Sequence, residues 1–159
     1  MTGSFRYHGK LYRALNPIYA REPLSGRGAE LHGGRFNPKG TPALYCSLAV
    51  LTAVREANQV GNLQPTTLVS YDAEIEEVFD SRDEAALQAE GMDAAALADT
   101  SWRDQMKASG EARTQAFARN LIARAIPHCS YGALPKVPPS ATSISCSGNG
   151  AMQPQHVSS

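Results

Sequence analysis

Several features that mark whole classes of protein are missing from this chain. No apolar run approaches the roughly 20 residues that cross a bilayer, and the opening MTGSFRYHGK holds no apolar stretch of signal-peptide length, so a cytoplasmic protein with no membrane partner is expected. Cysteine is scarce. Cys46, Cys129 and Cys146 are an odd number without metal-ligand spacing, which argues for inert thiols and against a disulfide framework or a metal site. Neither sign of charge is in excess, with 15 basic and 15 acidic side chains, and no internal repeat is visible. Tryptophan occurs once, at Trp102, and reads as core. A helix-turn-helix pattern and aromatics interleaved with basic residues are also lacking, so direct nucleic-acid binding is disfavoured. What remains is 159 residues, 42% of them apolar: about one soluble domain, able to bury roughly two-thirds of its unfolded surface.

The zero balance conceals an asymmetry. Residues 1–60 carry eight basic side chains against three acidic ones, whereas residues 61–125 carry twelve acidic against six basic. A basic first third in a neutral protein suits a compact anionic ligand better than a long polyanion.

Along the chain, KLYRAL (10–15) reads as a short strand ended by Asn16-Pro17. The stretch from Ser25 to Pro42, with five glycines and two prolines, reads as loop. Ala43 to Cys46 suits a second strand, and Ser47 an N-cap for a helix through about Gln59 that Gly61 stops. Thr66 to Tyr71 and Glu76 to Asp80 look like two further strands. Alanine-rich helices are expected over Asp83–Glu90 and Asp93–Ala98, another over Trp102–Met106, and an amphipathic one over Glu111–Ala125. The class is therefore α+β. From Ile126 onward the only charge is Lys136, and Ser, Pro and Gly abound, so composition predicts a disordered or loosely attached extension to a domain of residues 1–125.

Chemistry concentrates between Gly26 and Glu56. Arg35 carries a planar, permanently charged fork that binds phosphate oxygens in pairs, and Gly33 and Gly34 let a ligand approach the backbone. Arg13, on the first strand, is a second candidate for phosphate contact. Tyr45 sits at a strand end where an aromatic ring can stack on a ligand. Read alone, Arg35 passes for a surface arginine, Tyr45 for a half-buried core tyrosine and Glu56 for a solvated helix carboxylate. GRGAELHGG lacks the spacing of a nucleoside-triphosphate P-loop, and His32 reads as polar loop surface. Ser47 has no histidine base near it in sequence and does not read as a nucleophile.

LYRAL followed by GGRFNPKGTPALYCSLAVLTAVRE, within residues 10–125, resembles the RES-domain family, toxin components of bacterial toxin–antitoxin pairs. The resemblance implies a fold similar to the ADP-ribosyltransferase toxins, a split antiparallel β core with surrounding helices. It implies NAD as substrate, no metal, and an antitoxin partner carrying an Xre-type helix-turn-helix. Family members split NAD, depleting it by hydrolysis or phosphorolysis or passing ADP-ribose to a host protein such as a nucleotide-biosynthesis enzyme. On that footing Glu56 holds the ribose and stabilises the positive charge that develops there, Arg35 takes the pyrophosphate or the ribose with Arg13 a second candidate for phosphate contact, Gly34 lets the ligand approach, and Tyr45 stacks on nicotinamide.

One departure stands out. The family's C-terminal serine, on a strand of the type LLVRS, and a final strand resembling NLVLW are not present in this chain; Ser130 and Ser140 fall in the right region without matching neighbours. Permitted codons for HCSYGA, read in a shifted frame, can give LLVRS, and those from Leu134 to Gly150 can give a string containing NLVLW. A frame-shifted translation from about Ile126 is the expectation this raises, and resequencing the gene tests it. A degenerate, non-catalytic nucleotide- or antitoxin-binding module is the alternative reading.

Overall fold

Alternation dictates the first strand. Phe5, Tyr7, Gly9 and Leu11 turn to one face while Arg6, His8 and Lys10 turn to solvent, and β1 runs over Ser4–Leu15, six residues earlier than KLYRAL suggests. The computed structural model describes residues 4–58, 65–124, 128–133, 142–147 and 151–155. β1 pairs antiparallel along its length with β3, Thr67–Asp80, with a register shift between Phe5 and Tyr7. The two short strands expected in this second region are one continuous strand. Asp72 and Glu74, which look like an interruption in sequence, sit on its outer face and form ion pairs with Lys10 and Arg6 of β1, while Tyr71, Ala73 and Ile75 face the core.

Between these strands the chain makes a 3-10 turn at Pro17–Tyr19, helix α1 at Arg27–His32, strand β2 at Leu44–Ser47 and helix α2 at Val50–Ala57. The glycine-rich stretch therefore holds a six-residue helix where sequence predicts only loop. Ser47 is the last residue of β2 and not a helix cap; Ala49 takes the cap position, with no side-chain bond. The helix ends at Ala57, and Gly61 lies outside the described residues.

Four helices follow: α3 at Glu84–Ala89, α4 at Ala94–Ala98, α5 at Trp102–Ser109 and α6 at Arg113–Ala123. Asp83 and Asp93 cap α3 and α4 by accepting from Ala86 N (3.1 Å) and Ala96 N (2.7 Å), each cap contributing about 1 kcal/mol. β4, His128–Ala133, and β5, Thr142–Ser147, pair antiparallel; β5 also pairs with β2, and β4 runs parallel to the end of β3. Because β1 and β3 also pair, β1, β2, β5, β4 and β3 form a closed circuit, with β6, Ala151–Gln155, added antiparallel to β3. β4 and β5 coincide with the stretches where a shifted frame carries the family's two strands. Ser130 pairs with Phe79 through its backbone, and Ser140 lies outside the described residues.

The fold is thus α+β, and two apolar clusters hold it. Leu11, Leu44, Cys46, Tyr71, Ala73, Ile75 and Val78 fill the inside of the sheet. Phe79, Leu87, Met92, Phe117 and Leu121 join the helices to its edge, with the Phe79 and Phe117 rings edge-to-face at 5.6 Å. Among the described residues no helix is long and apolar enough to cross a membrane.

Candidate active site

The loop between α1 and β2 is built around one buried amide. Asn37, 1% exposed, donates through Nδ2 to the carbonyls of Ala29 (2.9 Å) and Thr41 (2.8 Å), and its Oδ1 accepts from the Tyr45 hydroxyl at 2.6 Å. That hydroxyl accepts in turn from Phe36 N at 3.1 Å. From the far side, Gln115 on α6, fully buried, donates to the carbonyls of Gly34 (2.8 Å) and Asn37 (3.1 Å), and Thr114 donates to the Arg35 carbonyl at 2.5 Å. The backbone around Arg35 is therefore held on three sides. Gly33 has φ +72 and ψ 157, a region open to glycine alone. Tyr45 contributes its hydroxyl to this scaffold as well as its ring to the cleft. Tyr45→Phe should strand a backbone N–H and an amide oxygen, at a cost of about 2 kcal/mol or more, and lower the thermal midpoint by roughly 5 °C or more. An unchanged midpoint in calorimetry would remove Tyr45 from the scaffold.

The expected site residues line two adjoining chambers of one cleft. The larger, about 900 Å³, is walled by Arg13, Arg21, Arg27, Arg35 and Arg103, with one carboxylate, Glu22, among them and Trp102 and other apolar side chains between. The smaller, about 210 Å³, holds Glu56, Ser47 and Tyr12. Arg13 and Tyr45 belong to both, so they stand where the chambers meet. Gly34 and His32 line the larger chamber. Arg35 and Glu56 face different chambers.

Electrostatics separates the two ends. Arg35 donates to the Leu97 carbonyl at 2.6 Å, which leaves the rest of its fork to the chamber; burial lowers its pKa, and the nearby positive charge of Arg103 lowers it further. Arg13 donates to the carbonyls of Pro23 (3.2 Å) and Ser25 (3.1 Å) and so straps the 16–26 segment to β1, a structural duty beside its place in the cleft. Glu56 receives a hydrogen bond from Ser47 Oγ at 3.3 Å and takes part in none of the ion pairs among the described residues. Burial raises its pKa, and the Ser47 bond offsets only part of that rise. Cys46 lies behind this end of the cleft, its thiol pushed up to about 12 chiefly by burial, so it is an inert thiol at neutral pH. Among the described residues no group of three His, Cys, Asp or Glu could hold a metal ion.

Sequence reasoning missed Asn37, Thr114, Gln115 and Arg103. A glutamine at the third position of an amphipathic helix was the visible signal for Gln115, because its side chain also accepts from Ala112 N at 2.9 Å. Trp102, read as core, is indeed buried at 8% exposure, yet it also walls the cleft.

"Toxin Res" of Photorhabdus laumondii subsp. laumondii is 44% identical to this chain over 46 residues, 29% of this chain and 30% of that protein's own length. The RES domain model matches residues 10–133, a stretch that runs from the second half of β1 through β4 and takes in every cleft residue named above. With so much of its length matched, the chain belongs to the RES domain family.

Proposed function

We propose that the protein is the toxin of a toxin–antitoxin pair and that it breaks the nicotinamide–ribose bond of NAD. The observation that carries this reading is the order of charge along the cleft: an arginine-lined chamber, a junction at Arg13 and Tyr45, then a carboxylate in a small chamber. NAD has the complementary order of diphosphate, ribose and cationic nicotinamide. As the glycosidic C–N bond breaks, its electron pair leaves with nicotinamide and positive charge develops on the ribose. A half-buried carboxylate stabilises such a charge more strongly than a solvated one does. Arg35 and Arg13 hold the diphosphate, Gly34 permits its approach to the backbone, and Tyr45 stacks beside the leaving ring. The ribosyl cation is captured by water, by inorganic phosphate or by a nucleophile on a host protein such as a nucleotide-biosynthesis enzyme, the nucleophile losing its proton. An Xre-type antitoxin is the partner that this reading implies, and the cytoplasm is where NAD and both proteins meet.

Incubation of the purified chain with NAD, with and without phosphate and cell lysate, tests the reading. Free nicotinamide together with ADP-ribose, ADP-ribose phosphate or a labelled protein is the expected result, and the second product tells the three fates apart. ADP-ribose binding with no nicotinamide release would turn the assignment to a non-catalytic nucleotide-binding module. The pH dependence carries its own sign. Glu56 must be ionised to act, and burial raises its pKa above the ordinary 4.5, so the acid limb of the rate profile should lie above that value. An acid limb at or below 4.5 would detach Glu56 from the chemistry.

A further inference from the structure

Glu56 occupies an unfavourable place for a charge. It is the last residue but one of α2, in the turn where the helix dipole is negative, and it is partly buried, so helix and surroundings both oppose its ionised form. Arg55, beside it in the chain, is exposed and takes part in none of the ion pairs among the described residues.

The strands packed against α2 bring no counter-charge into contact with it. On β1, Arg13 spends Nη1 on the Pro23 and Ser25 carbonyls, and Tyr12 lines the small chamber. On β2, Tyr45 donates to Asn37, and Cys46 is a neutral thiol, pushed up to about 12 by burial. On β3, the Tyr71 hydroxyl, likewise pushed up to about 12 by burial, donates to the Pro23 carbonyl, and Asp72 pairs with Lys10 on the outer face. One donor does reach the carboxylate. Ser47 Oγ lies 3.3 Å from Oε2, and Oε1 has no hydrogen bond among the described residues.

Ser47 is a firm support for that contact. It is 1% exposed, and its backbone is paired on both sides, with Tyr12 of β1 and Ser143 of β5. The end of an eight-residue helix frays more readily than a strand held between two others, so Ser47 fixes where the carboxylate rests and not the reverse. We propose that Ser47 is a positioning residue: from β2 its hydroxyl holds Glu56 Oε2 at the small chamber, favours the charged carboxylate and leaves Oε1 to the ligand. Its link to a reaction rests on the NAD reading; the hold itself does not.

Carboxyl NMR of the full chain carrying isotope-labelled glutamate reads the hold without any ligand, the Glu56 signal being the one lost in Glu56→Gln. Ser47→Ala removes the donor, so the titration midpoint of that signal should move upward from the wild-type position. Cys46 and Tyr71 keep their protons from mildly acid to mildly alkaline pH, so the carboxylate is the group that moves. With NAD, Ser47→Ala should lose about tenfold in kcat on the acid limb with KM within about twofold, and the loss should shrink as pH rises. Ser47→Thr keeps the hydroxyl and suits a strand, and both readouts should return toward the wild type. An unmoved Glu56 midpoint in Ser47→Ala, or a rate loss equal at every pH, would overturn the proposal. If the midpoint rises while the wild type leaves NAD intact, the hold on Glu56 stands and the NAD reading falls.

Discussion

Glu56→Gln should abolish NAD cleavage, by about a thousandfold, while the protein becomes more stable at neutral pH. Loss of rate follows because glutamine keeps the shape and the Ser47 contact but removes the charge that the ribosyl cation needs. The gain in stability follows from the direction of the pKa shift. Burial raises the folded-state pKa above the ordinary 4.5, so between those two values the folded chain binds more protons than the unfolded one. Stability therefore falls as pH rises through that window, and above it the ionised Glu56 is a standing cost. Glutamine carries no such cost, and its thermal midpoint should be flat where that of the wild type declines. Thermal melts of both proteins across that window measure the difference. A variant that is inactive but less stable at neutral pH would mean that Glu56 serves the fold and not the reaction.

Gly34→Ala should be the most damaging small substitution in the site. A Cβ there would fall on the Tyr45 hydroxyl and lie 2.5 Å from Asn37 Oδ1, and those two atoms are already bonded to each other at 2.6 Å. Neither can yield, because Asn37 is fixed by the Ala29 and Thr41 carbonyls and the Gly34 carbonyl by Gln115. A cost of about 3 kcal/mol or more is expected, with the thermal midpoint lower by roughly 10 °C and ligand binding lost as Arg35 moves. Gly28 in α1 is the contrast. A Cβ there would meet nothing within 4 Å, so alanine should stabilise the helix by up to about 1 kcal/mol. Equal effects of the two substitutions on the melting temperature would mean that the Asn37 hub does not shape the loop.

The α+β class and the helical half were legible from the sequence because capping aspartates and apolar spacing are local signals. Asp83 and Asp93 announce their helices, and Phe117 and Leu121 mark the inner side of α6. β3 was less so: Asp72 and Glu74 resemble a turn until β1 lies opposite and supplies Lys10 and Arg6. α1 has six residues and a glycine in it, too short for periodicity to register. Ser47 precedes a helix closely enough to resemble a cap, yet pairing with β5 keeps it in a strand and sends its hydroxyl to Glu56. In the site, Arg35, Tyr45 and Glu56 could be named by kind and order, since each reports on its own chemistry. Their division between two chambers could not, nor could Gln115 and Thr114, which reach the Arg35 loop from about eighty residues away. Arg103 was hidden for a similar reason: only the fold brings α5 to face the glycine-rich loop.

Nicotinamide release from NAD, measured by chromatography on the purified wild-type chain beside Glu56→Gln, tests the central claim most directly. Nicotinamide should appear in step with NAD loss for the wild type and be absent for the variant. NAD that stays intact with the wild type, or is consumed equally by both proteins, would contradict it.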